Sequence, residues 1–134
     1  MRIVVCGSMS LSKKMVEVEA ELKKSGHAVI LPDGAREYAV SGTTESEPVK
    51  KKIEHDLIRD YYEKIKTADA VLIVNETKNG IKDYIGGNAF LELGYGHALR
   101  KKVYILNGIP DMIYTDEILA IQPLILKGDL NKIK

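Results

Sequence analysis

A chain of 134 residues, 45% hydrophobic and 29% charged, has the length and apolar content of one ordinary domain, which excludes disordered and fibrous classes. A formal net charge of +1 with no evident basic face argues against a nucleic-acid polymer or a membrane surface as partner. The single cysteine, Cys6, excludes an internal disulfide and reads as a small core residue. No apolar run approaches the ~20 residues of a membrane span. No signal-peptide layout precedes the first strand, so the expected setting is the reducing cytoplasm.

Ile3-Val4-Val5-Cys6 is a continuous apolar run stopped by Gly7, the pattern of a strand buried on both faces. Leu11, Met15, Val18 and Leu22 then recur at helical spacing, with Ser10 as a candidate cap and Gly26 as the stop. Ala28–Leu31 is a second strand, ended by Pro32. Residues 33–46 are polar and read as a long loop. Val49, Ile53, Leu57, Tyr61 and Ile65 form a stripe at four-residue spacing, a long amphipathic helix whose Lys50-Lys51-Lys52 run is a solvated face. Ala70–Val74 is the third and most apolar strand, and Asn75–Gly87 reads as another long loop. A helix over 88–100, a strand over 103–106, a short helix over 115–121 and a strand over 124–126 complete the chain, with Pro123 at a strand start where it costs no ladder bond.

Strands alternating with helices imply a parallel sheet covered on both faces. The expectation is one doubly wound α/β domain over residues 1–134, flavodoxin-like or Rossmann-like, with about five parallel strands in the order 2-1-3-4-5. In that order the ligand crevice opens between strands one and three, bringing Gly7-Ser8-Met9-Ser10 beside the loop that ends at Gly87.

Two features converge there. Gly7 permits close backbone approach, while the hydroxyls of Ser8 and Ser10 and the amides at a helix start suit a phosphate or sugar hydroxyl. A simple turn and cap is the alternative. Gly86-Gly87-Asn88 likewise precedes a helix N-terminus, with Glu92 about one turn inside and Gly96 four residues further on the same face. Each glycine inside a helix costs roughly 1 kcal/mol relative to alanine. Close helix–sheet packing would explain Gly94, and room for a ligand over Glu92 would explain Gly96. The alternative for Glu92 is a first-turn acid favoured by the helix dipole.

The run Gly87-Asn88-Ala89-Phe90-Leu91-Glu92-Leu93-Gly94-Tyr95-Gly96-His97-Ala98-Leu99, followed by Lys102-Val103, resembles the nucleoside 2-deoxyribosyltransferase family, which includes related deoxynucleotide N-glycoside hydrolases. Ile65–Val71 resembles the family's helix end and third strand, and Gly7-Ser8 stands at its first-loop position. The resemblance implies cleavage or transfer at an N-glycosidic bond of a nucleoside or nucleoside monophosphate, with Glu92 as nucleophile and no cofactor or metal. It also implies a homo-oligomer, a dimer or a multiple of one. A carboxylate suits this chemistry because the glycosidic transition state carries oxocarbenium charge. The family's second acid comes from the helix before the third strand, at a position held here by Tyr61. Asp60 precedes it by one residue and Asp56 lies one turn earlier, so these two are the candidates to protonate the departing base. Solvated helix charge is the alternative for both. Gly7, Ser8, Met9, Ser10, Asp83, Gly86, Gly87 and Asn88 are the candidate substrate contacts. Asn75 stands where the family often has an aspartate.

His27, His55 and His97 are scattered without metal-ligand spacing, though His97 is near enough in sequence to Gly96 to reach the site. Tyr84 and Tyr95 could stack on a base or simply pack. Two other readings stand beside the enzyme: a non-catalytic nucleotide-binding protein on the same fold, and a cytokinin-activating phosphoribohydrolase, whose fuller arginine-containing signature is absent.

Overall fold

The structure, a computed structural model, describes residues 1–41 and 56–134. Its main sheet joins β1 (Arg2–Cys6), β2 (Ala28–Ile30), β3 (Ala70–Ile73), β6 (Lys102–Ile105) and β7 (Leu124–Ile125) in the order β2-β1-β3-β6-β7. Every pairing is parallel, with Val4 opposite Ile30 and Val71, and Val71 opposite Val103. This is the doubly wound order expected from the alternation of strands and helices.

Side chains alternate across each strand, and both faces are buried. Ile3, Val5, Leu72, Val74 and Tyr104 meet Met15, Val18 and Leu22 of helix α1 (Ser12–Lys24) on one side. Val4, Cys6, Val71, Ile73 and Ile105 meet a second set of helices on the other. These are α3 (Leu57–Lys66) through Tyr61 and Ile65, α4 (Gly87–Ala98) through Ala89 and Leu93, and α5 (Thr115–Ile121) through Ile118. Burial on both faces is why the strands are unbroken apolar runs rather than alternating ones. The chain leaves β1 by α1 on one face and enters β3 from α3 on the other. The winding therefore reverses between β1 and β3 and leaves a crevice at their carboxyl ends.

The structure departs from the expected elements in four places. Within the expected 33–46 loop, Ala35–Ser41 forms helix α2, seated on α1 by the buried Ala35. The expected Asn75–Gly87 loop contains an antiparallel hairpin of β4 (Glu76–Lys78) and β5 (Ile81–Tyr84). Its turn is Asn79-Gly80, both at positive φ (54° and 75°), the pair that a tight hairpin requires. Ser10 does not cap α1. Instead Ser8 caps a short 3-10 turn, Met9–Leu11, and α1 begins at Ser12. The helix glycine that packs on the sheet is Gly96 rather than Gly94. A Cβ at Gly96 would stand 2.8 Å from Val71 Cγ2, so Gly96 serves helix–sheet packing, whereas Gly94 meets nothing within 4 Å. Gly26 does end α1, at φ 89°. Val49, Ile53, the Lys50-Lys51-Lys52 run and His55 lie outside the described residues.

One ion pair ties α2 to α1. Arg36 donates both arms to the carboxylate of Glu19 (2.5 and 2.7 Å), whose side chain is only 7% exposed. The hydrogen bonds from Arg36 hold the Glu19 carboxyl below the usual glutamate value, against the opposing effect of burial. A depressed carboxyl stabilises the fold above its unfolded pKa and loses that contribution as pH falls through the folded value. Arg36→Met is expected to cost about 1–3 kcal/mol at neutral pH. The gap between wild type and variant should close below about pH 4. Urea unfolding of both proteins across pH 3–8 measures it.

Candidate active site

The loop after β1 divides two clefts. Gly7 and Met9 face one cleft, and Ser8 and Ser10 face a neighbouring one. Both border the start of α4, Asn88 lining the first and Gly86 and Ala89 the second. Gly7 is required by packing as well as by access. A Cβ there would meet the Val74 carbonyl oxygen at 2.9 Å and Met15 Sδ at 3.3 Å.

Glu92 lies on the first cleft, projecting from the second turn of α4 above the end of β1. No acidic residue occupies the first turn of α4, so a first-turn dipole role does not describe Glu92. Its Oε2 is enclosed by protein. Beneath it sits Cys6, fully buried, whose thiol hydrogen-bonds the Glu92 carboxylate. Burial first, and then the charge of Glu92, push the Cys6 thiol well up, so it stays protonated and donates. Tyr61 closes the same floor from α3, buried to 7% exposure, and donates its hydroxyl to the Val5 carbonyl. Burial is also the main reason its phenol titrates well above the usual tyrosine value. A thiol, a phenol and a carboxylate therefore share one buried floor.

The mouth of the cleft is charged. Lys64 reaches Asp33 at 3.0 Å and Asp60 at 3.1 Å, bridging α3 to the loop after β2. Partial burial opposes the ammonium charge, but these two hydrogen bonds outweigh it and raise the lysine above its usual value. The side chains of Asp33 and Asp60 are 69% and 45% exposed. Pro32, Leu57, Ile58, Leu91 and Tyr95 complete the walls.

Among the sequence-derived candidates, Gly7, Met9, Asn88, Glu92 and Asp60 thus share one cleft. Ser8 and Ser10, 3.0 Å apart through their hydroxyls, line the other with Gly86, Tyr84 and Lys78. Gly87 opens α4 between the two sets. Asp56 is exposed, paired with Arg59 at 2.7 Å, and does not line the cleft. Asp83 turns toward Gly108, where its Oδ2 would lie 2.6 Å from an added Cβ. His97 is exposed. Among the described residues no group of His, Cys, Asp or Glu could hold a metal ion, and no helix is long and apolar enough to cross a membrane.

Residue-type reasoning passed over Asp33, Tyr61 and Lys64 as site members. Asp33 had a usable signal, since it follows the second strand at the same carboxyl edge as Gly7. Lys64 had one too, standing four residues after Asp60 on a helix.

Asn75 has a structural occupation. Buried to 1% exposure, it donates Nδ2 to the carbonyls of Asp83 (2.8 Å) and Gly108 (2.9 Å) and accepts from the Asn107 amide at 3.1 Å. It fastens the hairpin and the loop after β6 to the end of β3.

No protein-family model matches the chain, and no curated protein does. Among solved structures, a CMP N-glycosidase from Clostridium botulinum, BcmB, shares the fold with a TM-score of 0.55 and 14% identity. The match covers 93% of this chain and 85% of that one. At this identity the likeness is one of fold.

Asn75→Asp should show that the amide is structural. A carboxylate would face two carbonyl oxygens with no proton to give, a loss of about 2 kcal/mol or more. Denaturant midpoints of wild type and variant read it directly, and an unchanged midpoint would contradict this role.

Proposed function

We propose that the protein acts on the N-glycosidic bond of a nucleoside or nucleoside monophosphate, by hydrolysis or transfer, with Glu92 as nucleophile. The observation that carries this reading is the Glu92 carboxylate at the crevice between β1 and β3, with one oxygen enclosed and the Cys6 thiol donating to it. The fold shared with an N-glycosidase supports it.

In this reading the sugar lies over Glu92 with its anomeric carbon toward the carboxylate. As the bond to the base lengthens, positive charge grows on the sugar, and a fixed anion in a partly dry site stabilises it strongly. Attack gives a glycosyl ester, which water opens in hydrolysis or a second base opens in transfer. The thiol of Cys6 acts as a fixed donor under the floor that holds the carboxylate in line, while the Tyr61 hydroxyl, donated to the Val5 carbonyl, closes the floor beside it. The base extends toward Asp60, Lys64 and Asp33 at the mouth. The hydroxyls of Ser8 and Ser10, with Lys78 and the start of α4, suit the oxygen-rich far end of the substrate.

A non-catalytic nucleotide-binding protein is the second reading, favoured by Tyr61 standing where the resemblance implies an acid. One variant separates the two. Glu92→Gln keeps the size of the side chain but not its anion. On the enzymatic reading kcat falls by roughly 10³-fold or more while ligand affinity holds within a few-fold. Base release by chromatography and ligand affinity by calorimetry, over a panel of deoxynucleosides, ribonucleosides and their monophosphates, are the measurements. Turnover retained within about tenfold ends the nucleophile role.

A further inference from the structure

We infer that the preferred substrates are N-glycosides whose base is a cationic heteroaromatic ring, such as a pyridinium, rather than a neutral nucleobase. The inference rests on the proposed role of Glu92 and specifies which leaving group that role can serve.

A neutral base departs as an anion unless a proton reaches it in the transition state. The groups of Tyr61, Lys64, Asp33 and Asp60 at this cleft are each committed to another partner. The Tyr61 hydroxyl already donates to the Val5 carbonyl, and burial holds its proton tightly. Cys6 lies under Glu92 and is equally reluctant. Lys64 keeps its proton between two carboxylates, against the pull of its partial burial. Asp33 and Asp60 are the partners in those two ion pairs, so both carboxylates are already engaged by the ammonium of Lys64.

The charge of the cleft points the same way by an independent route. Among the described residues its lining carries three carboxyl groups, from Asp33, Asp60 and Glu92, against the one ammonium of Lys64. A flat cation gains attraction on entering.

A cationic base needs no acid. The Glu92 oxygen bonds to the anomeric carbon as the carbon–nitrogen bond breaks. The bonding pair stays on the ring nitrogen and neutralises its charge, so the base leaves as a neutral aromatic molecule. Water then bonds to the anomeric carbon, the ester bond to Glu92 breaks, and one proton passes to solvent. The sum is glycoside cation plus water giving free sugar, neutral base and a proton.

The test offers the intact protein nicotinamide riboside, its neutral dihydro form, cytidine and deoxycytidine 5′-monophosphate. Base release is normalised to each compound's spontaneous hydrolysis, because the pyridinium bond is intrinsically weaker. Binding of 1-methylnicotinamide is compared with that of nicotinamide. The expected result is faster normalised release from the pyridinium riboside and tighter binding of the methylated cation. Asp33→Asn should raise KM for the cationic substrate about two- to fivefold, as for one exposed charge pair, and raise it less for a neutral substrate. Neutral nucleosides cleaved as well as or better than the pyridinium riboside would overturn this inference while leaving the role of Glu92 intact. If no substrate releases base, the enzymatic reading falls, and binding decides the rest. Preference for the methylated cation would then uphold a cation site, and equal binding would overturn it.

Discussion

There is no space for a side chain where β1 gives way to its loop. The Val74 carbonyl oxygen and the sulfur of Met15 already crowd the point a Cβ at Gly7 would occupy. That close approach lets the ends of β1 and β3 stay adjacent while the chain between them departs to opposite faces of the sheet. The loop after β1 therefore passes between two clefts, giving Gly7 and Met9 to one and Ser8 and Ser10 to the other. Glu92 reaches the first cleft only because α4 begins at the neighbouring edge of the same crevice.

The sheet was legible because its strands are buried on both faces, which leaves runs such as Ile3–Cys6 and Ala70–Val74 that no surface element would carry. The hairpin was not, because β4 is exposed at every residue and shows no apolar alternation, and Asn79-Gly80 was its one local signal. Glu92 could be read from its neighbours, since glycines that a helix would normally avoid surround it. The reason for those glycines could not be read. Whether a glycine serves a ligand or a packed helix depends on which side of α4 meets Val71, and only the three-dimensional register decides that.

The aspartates show a second limit. Asp56 and Asp60 are one helical turn apart and chemically identical, yet Asp60 borders the cleft and Asp56 pairs with Arg59 in solvent. Tyr61, counted in the sequence as part of an apolar stripe, does pack in the core, and its hydroxyl end also lies on the cleft. Amphipathic residues of this kind belong to core and site together, so periodicity alone assigns them to only one. Asn75 illustrates the converse. It stands where the family that the sequence resembles often has an aspartate, and its amide is consumed in fastening two loops.

The contact of Gly96 with Val71 bears on how Glu92 is held. With no Cβ as a spacer, α4 rests directly on the sheet one turn beyond the carboxylate, and Phe90 stacked on Tyr114 at 4.3 Å steadies the opposite end. The carboxylate is thus carried on a support whose close approach to the strands depends on Gly96, with Ala89 and Leu93 packed beside it. A charged group mounted in this way has little orientational freedom left to surrender to a ligand. On the proposed reading, much of the entropy of aligning it would have been spent during folding, before a sugar arrives.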